Sequence, residues 1–295
     1  MDTEKCKALL TVLDTGNLSA AADLLGYTPS GISRMMSALE DETGFPLLTR
    51  GRNGVTPTPE CLRLLPAIRD MARTGQLFEE KAAALRGVET GKVRIGCAYV
   101  YYYDWLARVI ASFVKLHPGI EVEILQGYST RLCQAVADHE ADFVIASRRE
   151  GAFDFIPLLR DPLVAVVPPG HPAVKRGMYA MKDFEKESFI GRSPMQGTDN
   201  DRAFSELGIQ PNIRHRAVDE RACLFLVSAG LGVTLDNRII EQELDTQDVR
   251  LIPTDPEWIV EIGIALPVKE ERSPAAAKFA AFAKACLEDP DIVIE

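Results

Sequence analysis

Residues 17–40 read Asn17-Leu18-Ser19-Ala20-Ala21-Ala22-Asp23-Leu24-Leu25-Gly26-Tyr27-Thr28-Pro29-Ser30-Gly31-Ile32-Ser33-Arg34-Met35-Met36-Ser37-Ala38-Leu39-Glu40. The apolar spacing predicts a helix over Leu18–Leu25 with Ala20, Ala21, Leu24 and Leu25 inward. The small residues Ala20–Ala22 let a second helix approach closely, and Gly26 permits the turn that ends the first. Thr28 then reads as an N-cap and Pro29 as the first helical residue of a second helix, running to about Asp41 with Ile32, Met35, Met36 and Leu39 periodic. Ser19, like Thr28, reads as a cap rather than a base reader. The second helix opens with Ser30, Gly31 and Ser33. Short hydroxyls there can reach phosphates and base edges when a helix N-terminus enters the major groove, and the positive end of the helix favours phosphate. Two helices in this relation are a helix-turn-helix.

Working outward, Lys5–Thr15 is a helix carrying Ala8, Leu9, Val12 and Leu13, broken by Gly16-Asn17. Gly44–Pro59 is rich in Gly, Pro, Thr and Arg and reads as a loop or β-wing. From Pro59 to Arg86 the pattern is helical again, with Pro66 expected to end or bend one turn. Leu62, Leu65, Ile68, Met71, Ala72, Leu77 and Phe78 lie broadly on one side. Such a stripe either docks on its own domain or pairs with a second copy of the chain, and its place between two domains favours the second. Gly87–Gly91 is the natural boundary. Beyond it strands (Lys92–Cys97, Glu121–Leu125, Phe143–Ala146) alternate with helices (Trp105–Leu116, Thr130–Ala137). This βαβ rhythm implies a parallel sheet. A second set follows, with strands at Leu163–Val167, Ser188–Ile190, Ile213–Ala217 and Leu231–Leu235 and a helix at Ala222–Ala229. Val260–Ala265 is a late strand and Ala275–Leu287 a last helix.

Composition narrows the function. A chain of 295 residues, 46% hydrophobic and 26% charged, suits two or so globular domains. Its start lacks the pattern of a secretion signal, and no apolar run approaches the roughly 18 residues needed to span a bilayer, so a soluble, cytoplasmic protein without membrane partners is expected. The net charge is −10. Residues 1–90 carry 10 basic and 12 acidic side chains, so any DNA contact must come from locally placed cations and helix termini. The six cysteines form no CxxC pair and stand at no zinc spacing with the four histidines. They read as buried packing in a reducing compartment. No nucleophile elbow, phosphate-binding glycine loop or paired His/Asp/Ser set is present, and His117, His139, His171 and His215 are scattered. No catalytic residue, metal ligand or cofactor is expected, and an enzyme is the main alternative class. A transport-type solute-binding protein would need a secretion signal, and an architectural DNA protein would be far more basic.

The helix-turn-helix segment resembles that of the LysR-type transcriptional regulators. Ala21, Ala22, Leu24, Ser30, Ser33, Arg34, Leu39, Glu40 and Gly44 match, as do the wing Pro46-Leu47-Leu48-Thr49-Arg50-Gly51-Arg52 and Thr58. Further along, Gly96, Phe113–His117-Pro118, Gly127, Asp142–Ala146, Val166-Val167, His171-Pro172 and Ala229–Val233 match the regulatory domain of that family. Leu48, Pro57 and Cys61 depart from it around the wing and the start of the linker helix. The resemblance implies an α/β chain in three parts: a winged helix-turn-helix DNA-binding domain over 1–58, a dimerisation helix over 59–90, and a two-lobed, periplasmic-binding-protein-like regulatory domain over 91–295. Its first lobe would comprise 91–161 and 267–295 and its second 162–266, with crossovers near Arg160–Leu163 and Ala265–Lys269.

The resemblance also implies sites and partners. Thr28, Pro29, Ser30, Gly31, Ser33 and Arg34 would lie at the DNA, with Arg50 and Arg52 reaching from the wing. The DNA would be a double-stranded, pseudo-palindromic operator read by a homodimer or homotetramer, with RNA polymerase as a further candidate partner. A small-molecule effector would bind between the lobes and shift their geometry. Three loops line the expected cleft, at strand C-termini and helix N-termini. They are Cys97, Ala98, Tyr99, Val100 and Tyr101; Gly127, Ser129 and Thr130; and Arg192, Ser193 and Thr198, with Ser147 and Asp219 nearby. Val100 stands near the family's usual Thr or Ser, inside the run Tyr99–Tyr103. These tyrosines either stack on an aromatic or polyphenolic effector or pack against the protein. Peroxide-sensing members use a cysteine pair in the second lobe, where this chain has Cys223, so redox sensing is not expected.

Overall fold

The computed structural model describes residues 2–51, 54–87, 89–192 and 197–289. The first three helices are α1 (Thr3–Thr15), α2 (Leu18–Leu25) and α3 (Pro29–Thr43). Each ends on a left-handed glycine, and each starts on a side-chain cap: Asp2, Asn17 and Thr28. Asn17 Oδ1, not the Ser19 hydroxyl, takes the first N–H groups of α2, at 2.8 Å and 3.2 Å. Ala21, Ala22, Ile32, Met36 and Leu39 close the core with Leu9 and Val12. Leu24 was expected inside but is 71% exposed. Ala21 faces the core as expected, and Ala22, outside the expected set, joins it. Each large apolar side chain sealed here is worth about 1.5–3 kcal/mol of transfer free energy.

A hairpin of β1 (Leu48–Gly51) and β2 (Gly54–Pro57) forms the wing. Glu40 of α3 fixes its root: Oε1 accepts from the Leu47 and Leu48 amides at 2.8 Å and 3.1 Å. Gly54 has φ +112°, and a Cβ there would stand 2.5 Å from the Gly16 carbonyl oxygen, so only glycine lets the wing lie against the end of α1.

The next element, α4 (Pro59–Leu85), is one helix of 27 residues. Pro66 does not end it, because a proline in the second turn forfeits a single i→i−4 bond while the rest of the ladder continues. Cys61 and Ile68 sit in the N-terminal core, and the distal end reaches the regulatory domain. Arg73 donates to the Glu271 carbonyl at 2.5 Å and faces Asp142 at 3.6 Å, and Arg69 pairs with Glu140.

The regulatory domain continues with β3 (Gly91–Cys97), α5 (Tyr103–Leu116), β4 (Ile120–Gln126), α6 (Ser129–Ala137), β5 (Phe143–Ser147) and β6 (Phe153–Val167). Then come α7 (Pro172–Arg176), β7 (Tyr179–Ala180), β8 (Phe189–Arg192), α8 (Asp199–Leu207), β9 (Ile213–Ala217), α9 (Glu220–Ser228) and β10 (Thr234–Asn237). The chain ends with α10 (Ile240–Glu243), β11 (Arg250–Asp255), β12 (Ile259–Pro267) and α11 (Pro274–Glu288). The parallel pairs β3–β4 and β3–β5 follow from their intervening helices. The rest of the main sheet runs β5-β12-β6-β11-β7 and is antiparallel except for β11–β7. Strand β10 also pairs with β6, while β8 and β9 form a separate parallel pair.

Two lobes result, joined by β6 and β12. In β6, residues 153–162 pair with β12, and Leu163–Val167 then pair with β10 and β11 of the second lobe. On the way back, Ile262–Ala265 already pair with β5 in the first lobe. The return crossing therefore falls beside Ile259 and Val260, earlier than the expected 265–269, because Ile262–Ala265 are already paired with β5 and Ala265 packs with Leu132, Val136 and Val144 of the first lobe.

Candidate functional site

The first candidate surface is the start of α3. Thr28 Oγ1 accepts from the Gly31 amide at 3.1 Å and lies 3.1 Å from Ser30 Oγ, so Thr28 is a cap, and Pro29 fills the first helical position. Ser30, Ser33, Arg34 and Ser37 border an open concavity together with Ala38 and Asp41. Ser30 and Arg34 are exposed, as is Arg50 on β1. Arg34 forms no ion pair among the described residues. This face therefore combines a helix N-terminus, hydroxyls and unneutralised guanidinium groups, the chemistry that binds a phosphate backbone and reads base edges. Arg52 lies outside the described residues.

The second is where the lobes meet. The end of β5 brings Ser147 and Arg149, the loop after β3 brings Tyr99, and the start of α6 brings Ser129 and Thr130. From the second lobe, Thr198 caps α8 through the Asp201 amide, and Asp199 is the first residue of that helix. Asp199 is buried and accepts from three first-lobe side chains. Ser147 Oγ lies 2.9 Å from Oδ1 and 3.0 Å from Oδ2, Tyr99 Oη 3.1 Å from Oδ2, and Arg149 Nη1 3.0 Å from Oδ1. Thr130 donates to the Gly197 carbonyl and accepts from Arg149 Nε at 2.9 Å, while Ser129 Oγ accepts from the Ser147 amide at 3.0 Å. Burial, and then the Asp199 charge, push the Tyr99 phenol well above its ordinary pKa, so it stays a neutral donor.

The other candidate effector residues divide. Cys97 is buried and its thiol turns to the Tyr99 carbonyl at 3.1 Å, so this side chain does not line the cleft. Ala98 is partly buried against the core. A Cβ at Gly127 would touch Leu132, which sets that turn on α6. Arg192 is held by Glu220 and, at 3.9 Å, Asp236. Burial opposes its charge, but these carboxylates hold it above the ordinary arginine pKa. It is therefore already neutralised, and Asp219 is the N-cap of α9, accepting from the Ala222 amide at 2.8 Å. Ser193 lies outside the described residues. Of the tyrosine run, Tyr102 packs against the core, Tyr103 donates to the Cys97 carbonyl at 3.2 Å, and Tyr101 stands edge-on to Tyr102, 41% exposed beside an exposed Val100. Arg149 and Asp199 were absent from the expected set. A basic pair directly after the fully buried strand Phe143–Ser147 was the available signal for Arg149, since strand C-termini face the cleft.

All six cysteines are free and buried. Burial pushes Cys223 up to about 12 and Cys133 up to about 11, so both remain thiols. Among the described residues no group of His, Cys, Asp and Glu could hold a metal ion, and no helix is long and apolar enough to cross a membrane.

A winged helix-turn-helix joined by a long helix to a two-lobed domain with a polar interlobe site defines a class of regulator. Two family models match it: the bacterial regulatory helix-turn-helix of the LysR family over residues 3–62, and the LysR substrate binding domain over residues 86–287. The chain belongs to the LysR family of transcriptional regulators, DNA-binding proteins modulated by a small molecule held in the C-terminal domain. It is similar to the HTH-type transcriptional regulator CbbR of Sinorhizobium medicae, 28% identical over 241 residues, 78% of this chain and 75% of that protein. In fold it is similar to a full-length OxyR variant from Pseudomonas aeruginosa, with TM-score 0.72 and 17% identity over 97% of this chain and 94% of that one. It is also similar to the effector binding domain of QuiR in complex with shikimate, with TM-score 0.54 and 24% identity over 68% of this chain and 99% of that one.

Proposed function

We propose that two or four copies of this chain associate through α4, and that each pair reads the two halves of a pseudo-palindromic operator in double-stranded DNA. The observation that carries the reading is the exposed, serine-lined N-terminal turn of α3 flanked by Arg34 and by Arg50 of the wing. Leu62, Phe78 and Leu85 of α4 are 54%, 74% and 91% exposed in the single chain, apolar surface that pairing would cover. The chain acts in the cytoplasm, where its DNA lies, contacts RNA polymerase when it activates, and catalyses no reaction. The domain limits 1–58, 59–90 and 91–295 follow from the same reading.

The effector binds between the lobes, on Ser129, Thr130, Ser147 and Tyr99. Tyr99 offers a hydroxyl rather than an open ring face, so the case for an aromatic effector passes to Tyr101. The shikimate held by the QuiR domain supports a small polar acid as the chemical class. Binding shifts the lobes and so the spacing of the paired DNA-binding domains. The test is selection of random duplex DNA by the purified full chain, followed by footprinting. Two protected half-sites separated by about one helical turn or a multiple of it are expected. Protection that ignores sequence would refute operator reading, and a footprint unmoved by a panel of aliphatic and aromatic acids would refute effector control.

A further inference from the structure

The groups around Asp199 are arranged as a receptor for a carboxylate. On the first lobe, Arg149 is held in place without help from Asp199: Nε donates to Thr130 Oγ1 at 2.9 Å, and Nη1 donates to Ser147 Oγ at 2.7 Å and to the Arg148 carbonyl at 3.0 Å. Ser147 is anchored by its amide to Ser129 Oγ at 3.0 Å, and it is 1% exposed. Tyr99 is 8% exposed and aims its hydroxyl at the same point. Three donors, one of them a cation whose side chain is 10% exposed, thus converge on one place, and a carboxylate is the acceptor-only group that satisfies such a set.

That place is filled from the opposite lobe. Among the described residues the carboxylate paired with Arg149 is Asp199, whose side chain is 8% exposed. The end of helix α8 on which Asp199 stands adds positive potential, and Arg202 lies 3.6 Å from Oδ1 on the same helix. The acid therefore has cations on both sides.

We propose that Asp199 is a tethered ligand: it occupies the carboxylate receptor formed by Tyr99, Ser147 and Arg149, clasps the lobes together, and must be displaced by any free acid that binds there. This rests on the interlobe effector site proposed above and adds its regulation. A tethered group competes at an effective concentration on the order of millimolar or higher, with no translational entropy left to lose. A weak free acid is then excluded from the wild-type site. An effective acid must bring further contacts that a short aspartate lacks.

The test needs no DNA, so it can fail or succeed apart from the regulatory reading. The purified full chain and Asp199→Ala are melted in acetate and formate against chloride of equal ionic strength. Asp199→Ala should melt lower than wild type and recover with acetate, because the free acid refills the receptor, while wild type should not respond. A folded Asp199→Ala with no carboxylate-specific recovery would overturn the proposal and leave Asp199 as an ordinary buried ion pair. Should alanine prevent folding, Asp199→Asn keeps the shape and removes the charge. Benzoate should then bind by calorimetry at least about tenfold tighter than to wild type, about 1.4 kcal/mol, and equal affinity would count against the tethered ligand.

Discussion

Arg34 is the most direct way to test how α3 meets DNA, and Arg34→Ala is the perturbation. The side chain is exposed and makes no ion pair among the described residues, so its removal should leave stability within about 0.5 kcal/mol. A dimer carries two copies, so two contacts are lost at once. If each touches a base edge, the cost is about 1–3 kcal/mol apiece, about 2–6 kcal/mol in all. At 1.4 kcal/mol per decade, that is a loss of about thirtyfold or more in affinity. If each touches a phosphate, the slope of log K against log salt should shrink by about 0.9 per contact, about 1.8 per dimer. Fluorescence anisotropy on a selected duplex, titrated from about 50 to 200 mM salt, reads both quantities. An unchanged Kd together with an unchanged slope would show that Arg34 is merely solvated and that the expected docking of α3 is wrong.

Two further outcomes follow from buried titratable groups. Glu80 on α4 is 4% exposed, and burial raises its carboxyl above the ordinary 4.5. Its neutral form is therefore the one the fold prefers, and the stability it contributes is present below 4.5 and lost as pH rises through the raised value. Glu80→Gln should accordingly raise the melting temperature at pH 7 and change it little below pH 4.5, and the reverse pattern in calorimetric scans would contradict the burial argument. Cys223, pushed up to about 12, should resist iodoacetamide in the native protein at pH 8 and label only after denaturation. Native labelling seen by intact-mass spectrometry would mean the second lobe opens far more readily than its packing implies.

The parts legible in the sequence were those decided by neighbours along the chain. Thr28-Pro29 announced α3, and the glycines at 16, 26 and 44 end helices where a left-handed residue was needed. The first half of β6 escaped notice because Pro157 and Pro162 argue against a strand. The structure admits Pro157 at a shift of register, where Gly263 pairs with it while the preceding Ile262 pairs with Leu159. Strand β11 carries Pro253, which argues against a strand in the same way, although Ile252 and Thr254 alternate inward. At the site, Ser129, Thr130 and Ser147 could be nominated from strand and helix ends. Their union with Arg149 and Asp199 could not, since that pairing exists only once two separately built lobes face each other. Arg192 was expected in an effector loop, yet Glu220 and Asp236 already answer it from elsewhere in the second lobe.

The pairing of β6 with β12 places Arg160 opposite Glu261 and Asp161 opposite Val260. Seen this way, the two strands are the arms of one hairpin whose loop is the entire second lobe. The second lobe is thus an insert, entering and leaving the first through adjacent residues. Closing the hairpin before the insert has folded would mean confining a long disordered loop, a cost that grows with its length. An insert that folds on its own brings its two ends together and removes most of that cost. The order of assembly that this connectivity favours is therefore inside-out: the interrupted lobe is finished by strand β12 and α11 only after the lobe interrupting it has taken shape.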